Sequence, residues 1–461
     1  MDSVLHGIFD VNLIDRKFID LIESEKSPLF DGLFSALTAS PTVSVRLNPR
    51  KANEEALSSW INRTDTVAWE PLGYYLDERP NFTLDPAMHQ GVYYVQEASS
   101  MIYGEIIRRL SEIEDKKPLR ILDSCAAPGG KTTAGLASLP ENSAVIANEF
   151  DYRRADILRE NLDKWGYPEV AVTRGSTEQF SKLKGVFDII IADVPCSGEG
   201  MFRKSEAAVE QWSPQLVTQC SVLQREIISN LYHALSAGGY LVYSTCTFNS
   251  EENEKNIEKI CEEYDLSPVD FDWPDNWNIQ KGIGNLSGCY RLLPHKLKGE
   301  GLFVAILKKE GHIKTREIKT HKNNSQLPRN LASWTDNLIY EKRDDTIWGM
   351  TPALAELISI LEKKKVRFLT FGTEIGRLAG KNAIPSHSLA LSTTLKRGSF
   401  PEIEVNKDTA LEFLRRNPVA FDSDVAKGYV LLTYNGLPLG FVNNLGNRTN
   451  NLMPKEWRIR L

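Results

Sequence analysis

From Leu119 onward the chain alternates short, mostly apolar runs with longer amphipathic stretches. The runs Leu119–Asp123, Ala144–Glu149, Glu169–Arg174, Phe187–Asp193 and Gly239–Cys246 have the length and near-continuous apolar character of strands buried on both faces. Between them, Asp151–Trp165 and Ser213–Ser236 predict helices, the second ending at Ala237-Gly238-Gly239, where a helix stop belongs. This alternation predicts an α/β fold, a doubly wound and mostly parallel sheet covered on both faces. A last apolar run, Gly301–Leu307, follows a strand-like stretch at Tyr290–Leu293 and predicts an antiparallel pair at one sheet edge.

The flanks follow a different pattern. Residues 1–115 mix helical signals with a strand-like run at Val43–Pro49, which predicts an α+β region ahead of a core spanning 116–310. Residues 311–330 are polar and basic, with Lys314, Arg316, Lys319, Lys322 and Arg329, and predict a linker or exposed arm. In 331–461 a helix is expected over Pro352–Lys365. The runs Tyr429–Tyr434 and Leu437–Val442 meet across Asn435-Gly436, the strongest short-range hairpin signal.

With 461 residues, 41% hydrophobic and 25% charged, the composition is that of an ordinary multidomain globular protein. No run approaches the roughly 20 apolar residues of a membrane span, and the N-terminus lacks a basic-then-apolar leader, so a cytoplasmic protein without a membrane partner is expected. Six cysteines without C-x-x-C or Cys/His clustering predict free thiols and no metal. The net charge of −6 hides an asymmetry: residues 311–461 carry 23 Lys and Arg against 15 Asp and Glu, or +8, which leaves −14 for residues 1–310. A basic half beside an acidic one points to a polyanion-binding appendage, or to a Lys-rich solvated surface.

The run Ile121-Leu122-Asp123-Ser124-Cys125-Ala126-Ala127-Pro128-Gly129-Gly130-Lys131-Thr132 is a strand entering a glycine-rich turn and then a helix. It fails as a phosphate loop, because the first glycine of G-x-x-x-x-G-K-[ST] falls at Cys125. It suits the cofactor loop of a doubly wound sheet. Small residues there allow close approach, and an acid about 20 positions on, Glu149, ends the second strand, where a ribose binds. The fourth and fifth strands end at Asp193-Val194-Pro195-Cys196 and Ser244-Thr245-Cys246. In such a sheet ligands bind beyond the carboxyl ends of the strands, so Cys196 and Cys246 should face the crevice of the glycine loop. A cysteine thiolate adds readily to electron-poor double bonds. Cys220, Cys261 and Cys289 are expected to be inert filler.

Three runs, Cys125–Thr132, Asp193–Lys204 and Ser244–Glu254, together with Tyr93–Met101, resemble the motifs of RNA cytosine-5 methyltransferases of the Sun/RsmF type, and Lys427–Phe441 resembles the C-terminal RNA-binding region of the RsmF-like branch. The resemblance implies a Rossmann-like class I methyltransferase core with RNA-binding regions on both sides, the C-terminal one PUA-like and possessing room for two subdomains. It implies S-adenosylmethionine held by Cys125, Ala126, Ala127, Pro128, Gly129, Gly130 and Lys131, with Glu149 on the ribose and Asp193 at the junction with the substrate. Where that family places an acid for the adenine, this chain offers Ser176. Cys246 is implied as the nucleophile that adds to carbon 6 of cytosine. Asp193 is implied beside the ring nitrogen, where a carboxyl must carry a proton to donate, and Cys196 in product release.

Arg203 and Lys204 follow the catalytic loop and are expected to meet RNA phosphates. The implied substrate is 16S ribosomal RNA or the small ribosomal subunit, and the implied state a monomer. Alternatives are a catalytically silent RNA-binding assembly factor and a methyltransferase acting on tRNA. An amine methyltransferase is disfavoured by the thiols at Cys196 and Cys246.

Overall fold

The computed structural model describes residues 14–52, 63–314, 333–380, 382–420 and 425–460. From residue 315 onward the expected linker lies outside the described residues. An antiparallel N-terminal sheet comprises β1 (Val43–Leu47), β2 (Arg63–Val67), β3 (Glu70–Leu76) and β4 (Tyr93–Val95), in the order β2-β3-β1-β4. The core sheet follows, with β5 (Arg120–Asp123), β6 (Ala144–Glu149), β7 (Val170–Arg174), β8 (Phe187–Asp193), β9 (Leu235–Thr245), β10 (Leu266–Pro268), β11 (Gln280–Lys281), β12 (Cys289–Leu292) and β13 (Leu302–Lys309).

The core strands lie in the order β11-β12-β13-β9-β8-β5-β6-β7, with β10 also on β13. Strands β5 to β9 pair in parallel, while β13, β12 and β11 run antiparallel at one edge, as the two late apolar runs predict. The winding direction reverses between β5 and β8, and a doubly wound sheet opens its crevice at that switch point.

One expected boundary moves. The helix predicted to reach Ser236 ends at Tyr232, and β9 already begins at Leu235. Val186 and Phe187 both donate their N–H groups to the carbonyl of Ala234, so pairing with β8 overrides local helix preference there.

The C-terminal part differs more. Sheet strands β14 (Ile339–Arg343), β15 (Thr346–Met350), β16 (Thr373–Ala379) and β17 (Asn382–Pro385) form an antiparallel meander. The second sheet comprises β18 (Glu402–Glu404), β19 (Gly428–Tyr434), β20 (Leu437–Asn444) and β21 (Thr449–Asn451). The predicted hairpin is there: Asn435 and Gly436 both have positive φ, the backbone a tight two-residue turn requires. Gln90 of the N-terminal part donates to the carbonyls of Tyr434 and Leu437, clamping that turn.

The expected C-terminal RNA-binding region does not begin cleanly at residue 331. Between β7 and β8 the chain makes only a 3₁₀ turn, Thr177–Phe180, too short to cover the sheet face beside it. The helix Pro352–Glu362 fills that place: its Ala353, Leu354, Leu357, Ile358 and Leu361 share one apolar cluster with Leu122, Ala144, Ile146 and Ala171. Each fully buried Leu or Ile there contributes about 1.5–3 kcal/mol. The following segment adds to the sheet edge, where Arg174 N donates to Arg367 O and Leu369 N to Val172 O.

Candidate active site

Asp193 and Ser244 are register partners at the carboxyl ends of β8 and β9. Cys196 and Cys246 follow them by three and two residues, so parallel pairing delivers both thiols to one rim. Their sulfurs lie 3.3 Å apart. The hydrogen bond to Cys246, with burial second, pushes the Cys196 thiol well above its ordinary value. The two sulfurs share one hydrogen bond, and either can donate it.

Asp193 is held from two sides. Lys131 Nζ donates to Oδ2 at 2.7 Å, and Ser244 Oγ donates to Oδ1 at 2.6 Å. The hydroxyl of Tyr103, fully buried on the helix Ile102–Ile113, donates in turn to Ser244 Oγ. Burial works against the charge of Lys131, but the adjoining Asp193 carboxylate holds its ammonium above the ordinary range, with a smaller contribution from Cys246. The sequence points to Lys131 as part of a cofactor loop. The structure commits its ammonium to the strand end that leads to Cys196.

The glycine loop leaves β5 at Asp123 and enters the helix Gly130–Ala137. Gly129 has φ +109°, and a Cβ on it would meet Leu158 Cδ1 at 3.2 Å. Glycine is thus required by the backbone and by packing against the next helix, rather than by approach of a ligand alone. Asn148, near the end of β6, ties two loops together, donating to the carbonyls of Ser124 and Gly175. Within the loop, Ala126 and Ala127 are buried, Pro128 is exposed, and burial pushes the Cys125 thiol up to about 12, an inert group.

Two carboxylates at these strand ends test the fit of a cofactor. Glu149 Oε1 accepts from the N–H groups of Phe150 and Asp151, whereas its Oε2 is buried without a hydrogen-bond partner and has Arg154 at 3.6 Å. Asp123 accepts from Thr132 Oγ1 at 2.6 Å through Oδ2, and its Oδ1 is likewise buried and unpartnered. Burial pushes Asp123 up to about 7. Two orphaned acceptors beside a glycine turn suit a ligand rich in hydroxyl and ammonium donors, as S-adenosylmethionine is. Asp123 receives no role from the sequence reading, although its place immediately before the loop was the available signal. Ser176, just past β7, is exposed and makes no capping bond.

Arg203 is a correction. Its side chain is 4% exposed, and it donates to Glu300 Oε2 at 2.8 Å and to the carbonyls of Gly299 and Ala36. A guanidinium so engaged is not free for a phosphate. Lys204, at 30% exposure, lies 3.7 Å from Glu300 Oε1 and keeps a face to solvent. Three buried side chains behind the thiols, Glu199, Asn249 and Glu252, lie within the motif runs but receive no role of their own from the sequence, because their partners sit on the opposite loop.

Residues 111–308 match the family described as 16S rRNA methyltransferase RsmB/F, residues 14–98 match the N-terminal domain of 16S rRNA methyltransferase RsmF, and residues 400–459 match the methyltransferase RsmF PUA domain. A ribosomal RNA small subunit methyltransferase F from Escherichia coli O139:H28 is 31% identical, the alignment covering 93% of this chain and 92% of the relative. The chain belongs to the RsmB/F family of 16S rRNA methyltransferases.

The Enterobacter sp. (strain 638) relative of the same name is 29% identical over 93% of this chain and 92% of its own length. Two solved structures from Pyrococcus horikoshii share the fold of this RsmB/F member. A methyltransferase homolog protein has TM-score 0.54 at 24% identity, covering 66% of this chain and 100% of that one. NSun6, solved with SFG, has TM-score 0.52 at 21% identity, covering 63% and 97%. As an RsmB/F-family protein, the chain is an S-adenosylmethionine-dependent rRNA methyltransferase. Among the described residues no helix is long and apolar enough to cross a membrane.

Proposed function

We propose that the protein methylates carbon 5 of specific cytidines in 16S ribosomal RNA, as naked RNA or within the small subunit, through a covalent bond between Cys246 and the base. The observation that carries this reading is the pair of thiols at 3.3 Å beside the Lys131–Asp193 ion pair. S-adenosylmethionine, when bound, supplies an activated methyl group; Glu149, Asp123 and the 125–131 loop are the residues to hold it, with Ser176 at the adenine end.

Carbon 5 of cytosine is too weak a nucleophile to take a methyl unaided. Attack of the Cys246 thiolate on carbon 6 forms a carbon–sulfur bond and moves the ring's electron pair toward carbon 5. The charge that develops on the ring is met by the Lys131–Asp193 pair, whose ammonium lies at the strand end beside the thiols. Once carbon 5 carries the methyl, its proton must pass to a base before the carbon–sulfur bond breaks and the thiolate leaves. Cys196 assists that release, a role supported by its sulfur lying 3.3 Å from that of Cys246. The target base must leave its stack to enter this rim, which favours loops and open junctions of RNA.

Transfer of labelled methyl to unmodified 16S rRNA tests the reading. Cys246→Ala should abolish transfer, and Cys196→Ala should accumulate a protein–RNA species that survives a denaturing gel. Trapping by Cys246→Ala instead would reverse the two roles, and full activity of Cys246→Ala would end the covalent mechanism.

A further inference from the structure

Behind the thiols the two catalytic loops exchange carboxylates. Glu199, on the loop after β8 that carries Cys196, accepts from the backbone N–H groups of Phe248 at 2.6 Å and Asn249 at 3.1 Å, just past Cys246. Glu252, on the loop after β9 that carries Cys246, accepts from the N–H of Ser197 at 3.0 Å, just past Cys196. Asn249 Nδ2 joins the two carboxylates, at 2.7 Å from Glu199 Oε1 and 2.9 Å from Glu252 Oε1. All three side chains are fully buried. A direct stitch runs alongside, with Gly200 N donating to Cys246 O at 2.7 Å.

We propose that Glu199 and Glu252, bridged by Asn249, are positioning residues for methyl transfer: each anchors the loop that carries the other's cysteine, and together they set the approach of Cys196 to Cys246. The inference rests on the covalent reading above.

The chemistry of the brace is specific. Glu199 also accepts from Trp212 Nε1 and Ser197 Oγ, and Glu252 from Gln224 Nε2, so both carboxylates are met by donors alone. The neighbouring amides are fixed in orientation: Asn249 Oδ1 accepts from Glu252 N, and Gln224 Oε1 accepts from Tyr243 OH and Asn256 Nδ2. Neither amide can turn over without losing those bonds. A glutamine at 199 or 252 therefore sets an NH₂ against a fixed donor although its shape is the same, and the loops must shift to separate them. A shift of about 1 Å in reacting groups can lower a rate by about 100-fold.

The test uses full-length Glu199→Gln, Glu252→Gln and the milder Asn249→Ala, with unmodified 16S rRNA and labelled S-adenosylmethionine. A fall in kcat of about 100-fold for each Gln variant is expected, with KM for both substrates within about threefold of wild type. In a Cys196→Ala background the same changes should stop the covalent protein–RNA species from accumulating. Where a Gln variant does not fold, as judged by its thermal transition, Asn249→Ala decides, with an expected fall of about 10-fold in kcat. A folded variant with wild-type kcat, or one altered in KM alone, overturns the brace. Wild-type activity of Cys246→Ala would instead remove the covalent reading on which it rests, whatever the glutamate variants do.

Discussion

Arg120 on β5 forms an ion pair of 3.2 Å with Glu356, a residue of the C-terminal helix Pro352–Glu362. The contact marks where the chain returns to complete its own catalytic core. Removing everything after residue 310 should expose the apolar face around Leu122, Ile146 and Ala171 and leave an insoluble or non-cooperatively folding fragment. The single change Leu357→Ala should cost about 2–5 kcal/mol, read from the denaturant midpoint. A soluble, cooperatively melting fragment 1–310 would contradict this assignment.

Arg203 and Glu300 form a buried pair, each 4% exposed. Arg203→Met should destabilise the protein by about 1.5–3 kcal/mol, because Glu300 loses its shortest charged partner and keeps only Lys204 at 3.7 Å and the donors of Thr42. The salt dependence of RNA binding should stay as in wild type, since no phosphate contact is lost. A reduced salt slope with unchanged stability would restore Arg203 to the RNA surface.

Acid should loosen the junction between the N-terminal part and the C-terminal sheet. Burial pushes His89 down to about 4 and His387 down to about 3, so the folded protein keeps both rings neutral where the unfolded chain would protonate them. Their contribution to stability is fully present above pH 6.5 and is lost as pH falls, by about 1.4 kcal/mol per unit for each ring, down to about 4 for His89 and about 3 for His387. Thermal midpoints of wild type and His387→Phe between pH 8 and 4 check this. The variant should show the shallower slope, and equal slopes would refute it.

The unpartnered Oε2 of Glu149 gives a binding prediction. Glu149→Ala should weaken S-adenosylmethionine binding by about 10- to 100-fold, the worth of a charge-assisted hydrogen bond, when measured by calorimetry. RNA binding should not change. Unaltered cofactor affinity would mean that Arg154 alone explains the buried oxygen.

Much of this site was legible in one dimension because its parts are local. The turn from Asp123 to Lys131, the acid that ends β6 and the thiols just past β8 and β9 each depend on a strand end and a short spacing. Where the reading missed, partners from distant sequence decide the role. Arg203 was expected to meet RNA phosphates and is buried by Glu300, while Asn249 and Glu252, given no role of their own, lie buried behind both cysteines.

The sequence by itself determined the doubly wound sheet, its antiparallel edge and the residues that reach the crevice, because hydrophobic period and turn chemistry act over a few residues. Only the tertiary structure decided that a C-terminal helix covers the core, that Lys131 pairs with Asp193 and that two glutamates lock opposite loops together. Those features arise from burial and hydrogen-bond satisfaction between segments far apart in the chain, and neither leaves a local pattern.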